Sequence, residues 1–306
     1  MSTSIGGPSG DIAMTSKLSE IESRAASATQ LEAVIGAMRG IAAAREREAQ
    51  ARLAGIRSSA ATVGEAIGWV LSAAPSGYAP DPAPAESGTR ILIVVCTEQG
   101  FVGGFNEHLL ARVEWLKGDA PGEIFVVGTR GAMLARERAL PCVWSVPMAS
   151  HADDAMRVAG QIADAVFARF RNRASSALWL VHATPGPALG EQIVTRRLVP
   201  FEFARFTSSS RRQPPLFNLP LDQLLTGLTE RYVYLELCEG LMQSFASENA
   251  ARLAAMLAAS HHVKDQLAAL MRESRIVRQD AITDEVAELA AAGICAQSSP
   301  SIQVPP

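Results

Sequence analysis

Across residues 221–292 apolar side chains recur in steps of three and four. Leu228, Tyr232, Leu235, Cys238, Met242 and Phe245 begin the row, and Leu253, Met256, Val263, Leu267 and Leu270 continue it. The stretch contains no proline. This spacing predicts one continuous helix with an apolar seam. At 1.5 Å per residue it would be about 105 Å long, more than a domain of ordinary size can surround. Most of it must therefore lie against another long helix or inside partner subunits.

A second such pattern occupies residues 17–73, also without proline. Leu18, Ile21, Ala25, Ala28, Leu31, Ile35, Met38 and Ala42 trace one seam, and Leu53, Ile56, Ala60, Val63, Ile67 and Val70 another. Gly36, Gly40, Gly55, Gly64 and Gly68 leave two readings open, a weak helix held by its neighbour or a seam that needs close approach of two axes. Residues 1–16 and 294–306 read as flexible tails, and residues 74–88, with four prolines, as a linker.

Between the two helices the periodicity changes. β-Branched runs at 90–96 and 123–128, a short run at 142–146, and strands at 177–182 and 192–201 alternate with helical segments at 106–117, 128–139 and 151–171. The pattern predicts an α/β domain of doubly wound, Rossmann-like type over residues 89–206. A second linker at 207–217 closes it. The fold class is thus an α/β domain inserted between two long helices (17–73 and 218–293) that pair antiparallel as a coiled coil.

Composition narrows the function classes. Charged residues make up 19% of the 306, and a net charge of −3 gives no support for a nucleic-acid surface. The four cysteines have no CxxC or metal-ligand spacing and read as reduced thiols. No apolar run is long enough to span a bilayer, so the chain is expected to be soluble by itself, which leaves attachment to a membrane complex open. The Gly-rich stretch QGFVGGFN at 99–106 lacks both the G-x-G-x-x-G fingerprint and a Gly-Lys-Ser/Thr ending. Gly100, Gly103, Gly104 and Asn106 are accordingly expected to build a structural turn. His261 and His262 are adjacent and diverge on a helix, and no carboxylate or cysteine stands at ligand spacing from His108, His151 or His182. No catalytic, cofactor-binding or metal-binding residues are expected.

Four stretches in order carry a family resemblance. ERYVYLELCEGLMQSFASENAARLAAMLAAS, followed by VRQDAITDEVAEL, resembles the C-terminal helix of the γ subunit of F-type ATP synthase. MRGIAAAREREAQ at 38–50 resembles the family's N-terminal helix, CTEQGFVGGFN at 96–106 its first strand–loop motif, and FVVGTRG at 125–131 its second strand. The chain departs from the family at Ala33 and Gly36, which stand at lysine positions, and at Gln99 and Val102, which replace an Arg and a Cys. These departures suit a divergent, second-type ATPase.

The resemblance implies a non-catalytic central-stalk rotor that couples H⁺ or Na⁺ flow to ATP synthesis or hydrolysis on β. Its implied partners are the α and β subunits of the hexamer, the ε subunit and the c-subunit ring, and its place is the cytoplasmic face of the bacterial inner membrane. It further implies that Arg278 and Gln279 match an Arg-Gln pair facing an acidic loop of β. Asp280 and Asp284 are local competitors for the same arginine. Helix periodicity alone equally admits a coiled-coil adaptor with an inserted α/β domain.

Overall fold

The computed structural model describes residues 9–74, 89–118, 122–172, 176–186, 193–206 and 216–297. The chain order is α1 (Ser9–Ala73), β1 (Thr89–Val95), α2 (Phe105–Lys117), β2 (Gly122–Val127), α3 (Thr129–Glu137), β3 (Cys142–Val146), α4 (Ala155–Asn172), β4 (Ser176–Ala183), β5 (Ile193–Val199) and α5 (Leu221–Gln297). α1 thus begins at Ser9 rather than at residue 17, and α5 runs past residue 293. Residues 1–8 and 298–306, with most of the two expected linkers, lie outside the described residues.

Two units divide the chain. One comprises residues 1–38 and 256–306, the other residues 39–255. In the first unit α1 and α5 run antiparallel: Ile21 packs with Leu270 and Val277, and Ile35 with Met256 and Val263. Lys264 pairs with Glu32 at 3.7 Å. Leu31, expected on the seam, is half exposed instead.

The second unit holds the sheet, ordered β3-β2-β1-β4-β5. β1, β2, β3 and β4 are parallel, and β5 returns antiparallel on β4 as an edge strand. Strand side chains alternate between faces, so Leu92 and Val94 meet α2 and α3, whereas Ile91, Ile93 and Val95 face the other way. That second face is covered by α4 together with Ala49, Leu53 and Ile56 of α1 and the buried row Val233–Ala246 of α5. Both faces being covered explains why β1 reads as an unbroken β-branched run.

Covering the sheet makes α5 differ from a helix with one seam. Residues 240–249 are buried on every side, including Gln243, Ser244, Ser247, Glu248 and Asn249. Gly240 permits the approach: a Cβ there would stand 2.5 Å from Leu180 Cδ2 of β4. On α1, by contrast, Gly36, Gly40 and Gly55 have no neighbour within 4 Å of an added Cβ, so close helix approach does not explain them. Gly64 is different, with Phe206 at 3.1 Å from that position. β5 is tied to the helix pair by ions: Arg196 contacts Glu236 and lies 3.5 Å from Glu239, which also takes Arg57 at 2.9 Å.

Candidate functional site

In open α/β sheets ligands bind beyond the carboxyl ends of the parallel strands, where the strand order reverses. Here that point lies between β1 and β4. It is filled by the chain itself. The Ser244 hydroxyl of α5 donates to the Val95 carbonyl at 3.1 Å and accepts from the Ala183 amide at 3.3 Å. It thereby satisfies backbone groups at the ends of both strands.

Helix N-termini are the other feature that binds phosphate in such folds, through free N–H groups. At α3 this position is taken by a carboxylate of the same chain. Glu98 Oε2 accepts from the Thr129 amide at 3.0 Å and from the Met148 amide at 2.8 Å, and Oε1 accepts from the Thr129 hydroxyl at 2.6 Å. The preceding Gly128 has φ +101°, and a Cβ there would lie 2.6 Å from the Thr97 carbonyl oxygen. Close packing continues at Gly131, where a Cβ would overlap that of Cys96 at 2.0 Å. Burial pushes the Cys96 thiol well above its ordinary range.

The Gly-rich stretch forms the β1–α2 loop. Asn106 pins its start, accepting from the Thr97 amide at 3.0 Å and donating to the Thr97 hydroxyl at 2.9 Å. Gly103 sits at φ +61° and Phe101 at φ +62°, the second unusual for a residue with a side chain. Gly104 immediately precedes α2. The Gly100 carbonyl accepts twice from Arg252 of α5, from Nε and Nη2, each at 3.3 Å. Arg252 is held in turn by Glu248 at 2.7 Å and Asn249 at 3.3 Å. Burial pushes the Glu248 carboxyl up, opposed by Arg252 and by hydrogen bonds from the Gln99 and Glu98 backbone. The cleft beside the loop, lined by Phe101, Arg130 and Met133, has a volume of 150 Å³. Pockets for small ligands usually measure about 300–1,000 Å³.

Arg278 and Gln279 lie in the other unit. Arg278 Nη2 is 2.9 Å from Glu22 Oε1 of α1, with both side chains more than half exposed. The arginine's partner is thus across the helix pair rather than Asp280 or Asp284. Gln279 is exposed, and its carbonyl accepts from the Thr283 hydroxyl at 2.9 Å. The fold therefore does not bring these two residues together with Gly100, Gly103, Gly104 and Asn106 in one unit. Sequence reasoning missed Glu98, Ser244, Glu248 and Arg252. The last three recur every four residues on one face of a mostly apolar helix, and that polar stripe was the available signal.

Among the described residues no helix is long and apolar enough to cross a membrane. A family model described as ATP synthase matches residues 17–294. The chain is 29% identical over 293 residues to the ATP synthase gamma chain of Frankia casuarinae, covering 90% of this chain and 96% of that one. To the gamma chain of Streptomyces avermitilis it is 28% identical over 291 residues, covering 90% and 95%. A chain of the Euglena gracilis mitochondrial ATP synthase shares the fold with a TM-score of 0.63 at 12% identity, covering 95% of this chain and 99% of that one. A central-stalk chain of the Tetrahymena thermophila mitochondrial enzyme does so at 0.52 and 18%, covering 74% and 99%. With a match that spans both long helices and the sheet between them, the chain belongs to the ATP synthase family, among its gamma chains.

Proposed function

We propose that this chain is the central-stalk rotor of an F-type ATP synthase, coupling ion flow across a membrane to ATP synthesis or hydrolysis on neighbouring subunits. The family match over residues 17–294 carries this reading. In it, the paired helices stand within a hexamer of α and β subunits, and the α/β unit meets ε and the c-ring. An asymmetric shaft presents a different face to each β subunit, and differential contact shifts each site's equilibrium between conformations. The chain itself is non-catalytic, a reading supported by Ser244 and Glu98 occupying the backbone groups that a nucleotide would use. Its place is peripheral, at the cytoplasmic face of a bacterial inner membrane, in line with its bacterial relatives.

Arg278 and Gln279 are assigned to contact with an acidic loop of β. The pair with Glu22 is exposed, hence weak and exchangeable for a better-placed carboxylate. The arginine fork suits such a partner because it can bind a carboxylate through two parallel bonds.

The test is capture of the tagged chain from its host, followed by ATP-driven rotation of a bead fixed to residue 118 in the immobilised complex. Co-purification of α and β with ATP-dependent stepping is expected. Absence of α and β from the captured material, or an assembled complex in which the bead stays still during hydrolysis, overturns the reading.

A further inference from the structure

We propose that Glu248 and Arg252 are positioning residues forming a buried latch that makes the β1–α2 loop mechanically part of α5. The loop is anchored at its start by Asn106 on Thr97 and by Glu98 on Thr129 and Met148. Between Gln99 and Gly103, Arg252 donates twice to the Gly100 carbonyl. The Gln99 and Glu98 backbone also faces the Glu248 carboxyl and lowers its pKa against the effect of burial.

Both side chains of the pair are nearly fully buried. An i,i+4 pair on a helix surface would be a solvated and weak contact. Inside the protein the same pair must have its remaining donors and acceptors satisfied. The loop backbone satisfies them, so ion pair and loop hold each other in place. The consequence appears at the tip. Phe101 is 68% exposed and sits at φ +62°, next to the buried Val102. An exposed aromatic in a strained conformation persists only where its surroundings over-determine it. Arg252 supplies that determination from one side, and the Thr97–Asn106 pair from the other.

Force applied to the loop therefore passes into α5 through a charge-assisted contact rather than being absorbed by loop motion. This functional consequence rests on the rotor reading, whereas the latch does not. Arg252→Ala strands a buried carboxylate and could unfold the chain, so the informative variant is the double replacement Glu248→Leu with Arg252→Met. It exchanges the ion pair for apolar side chains of similar size, which proteins commonly tolerate.

Measurements on the full chain and on its complex separate the claims. In the full chain with the double replacement, hydrogen exchange at residues 99–103 should accelerate on the order of tenfold or more, by local opening. Chymotrypsin should cut after Phe101 faster in the double variant than in wild type, with Arg252→Lys between the two. Unchanged exchange and unchanged protection in a folded double variant overturn the latch. In the assembled complex, ions pumped per ATP should fall while ATP hydrolysis persists. Normal pumping by a complex whose loop has been released overturns the force-transmitting role alone, and failure of the wild-type chain to assemble overturns the rotor reading instead.

Discussion

Gly240 and Gly227 lie on the same helix, and replacing each with alanine is the same chemical change, yet the fold requires effects of opposite sign. Glycine in a helix interior costs about 0.5–1 kcal/mol relative to alanine. At Gly227 an added Cβ meets nothing within 4 Å, so Gly227→Ala should stabilise by about that amount. At Gly240 the new methyl would lie 2.5 Å from Leu180 Cδ2 and 3.3 Å from His182 Cδ2. Carbon atoms in contact prefer about 3.5–4.0 Å, so the first distance is short by roughly an ångström. Leu180 is fully buried in a central strand and has little room to turn aside. Overpacking of this kind costs about 1–3 kcal/mol, which exceeds the helix gain. Gly240→Ala should therefore destabilise by about 1–2 kcal/mol, and by more with valine. Urea unfolding followed by the fluorescence of Trp144 and Trp179, with circular dichroism in parallel, reads both variants. In melting temperature the two should differ from wild type by a few degrees in opposite directions, at about 2–4 °C per kcal/mol for a unit of this size. If Gly240→Ala stabilises as much as Gly227→Ala, α5 does not press on β4 as closely as argued, and the account of its all-round burial fails with it.

Burial lowers the pKa of His182 from 6.5 to about 4, and its Nε2 has no partner among the described residues. The unfolded chain takes up this proton near pH 6.5 and the folded chain only near pH 4, so stability is intact above pH 6.5 and falls between the two, by up to about 3 kcal/mol. Melting curves over that window should show the slope, and His182→Leu should flatten it. Asn106→Ala removes both hydrogen bonds to Thr97, leaving a buried amide unpaired; a loss of about 1–3 kcal/mol in urea unfolding is expected. Arg278→Ala breaks an exposed pair and should change stability by under about 1 kcal/mol. In an assembled complex the same change should impair ATP-driven pumping in membrane vesicles, and normal pumping with full subunit stoichiometry would count against the partner role.

What was legible in the sequence follows from how many neighbours each helix has. Leu53, Ile56, Ala60, Ile67 and Val70 are buried as their spacing indicates, because α1 offers essentially one face to the rest of the second unit. α5 offers two, one to α1 and one to the sheet, so Leu237, Leu241 and Ser244 are buried outside the single row that periodicity selects. The loop's lack of a phosphate fingerprint was readable from its glycines. That Glu98 caps a helix 31 residues downstream was not, since a carboxylate's distant partner leaves no local spacing. The antiparallel return of β5 was hidden for a similar reason: a strand's direction depends on the path of residues whose composition says only that a loop is present. Register shows the same limit most clearly. Each seam identifies which face of a helix is apolar but not which residue it meets. In the first unit the step from Ile21 to Ile35 is matched by an equal step back from Val277 to Val263, fourteen residues or two heptads along each helix. Equal and opposite steps of whole heptads keep both seams facing each other, so one long-range contact determines the others. Ile21 against Val277 is such a contact, and it brings the neighbouring Glu22 and Arg278 face to face although 256 residues separate them.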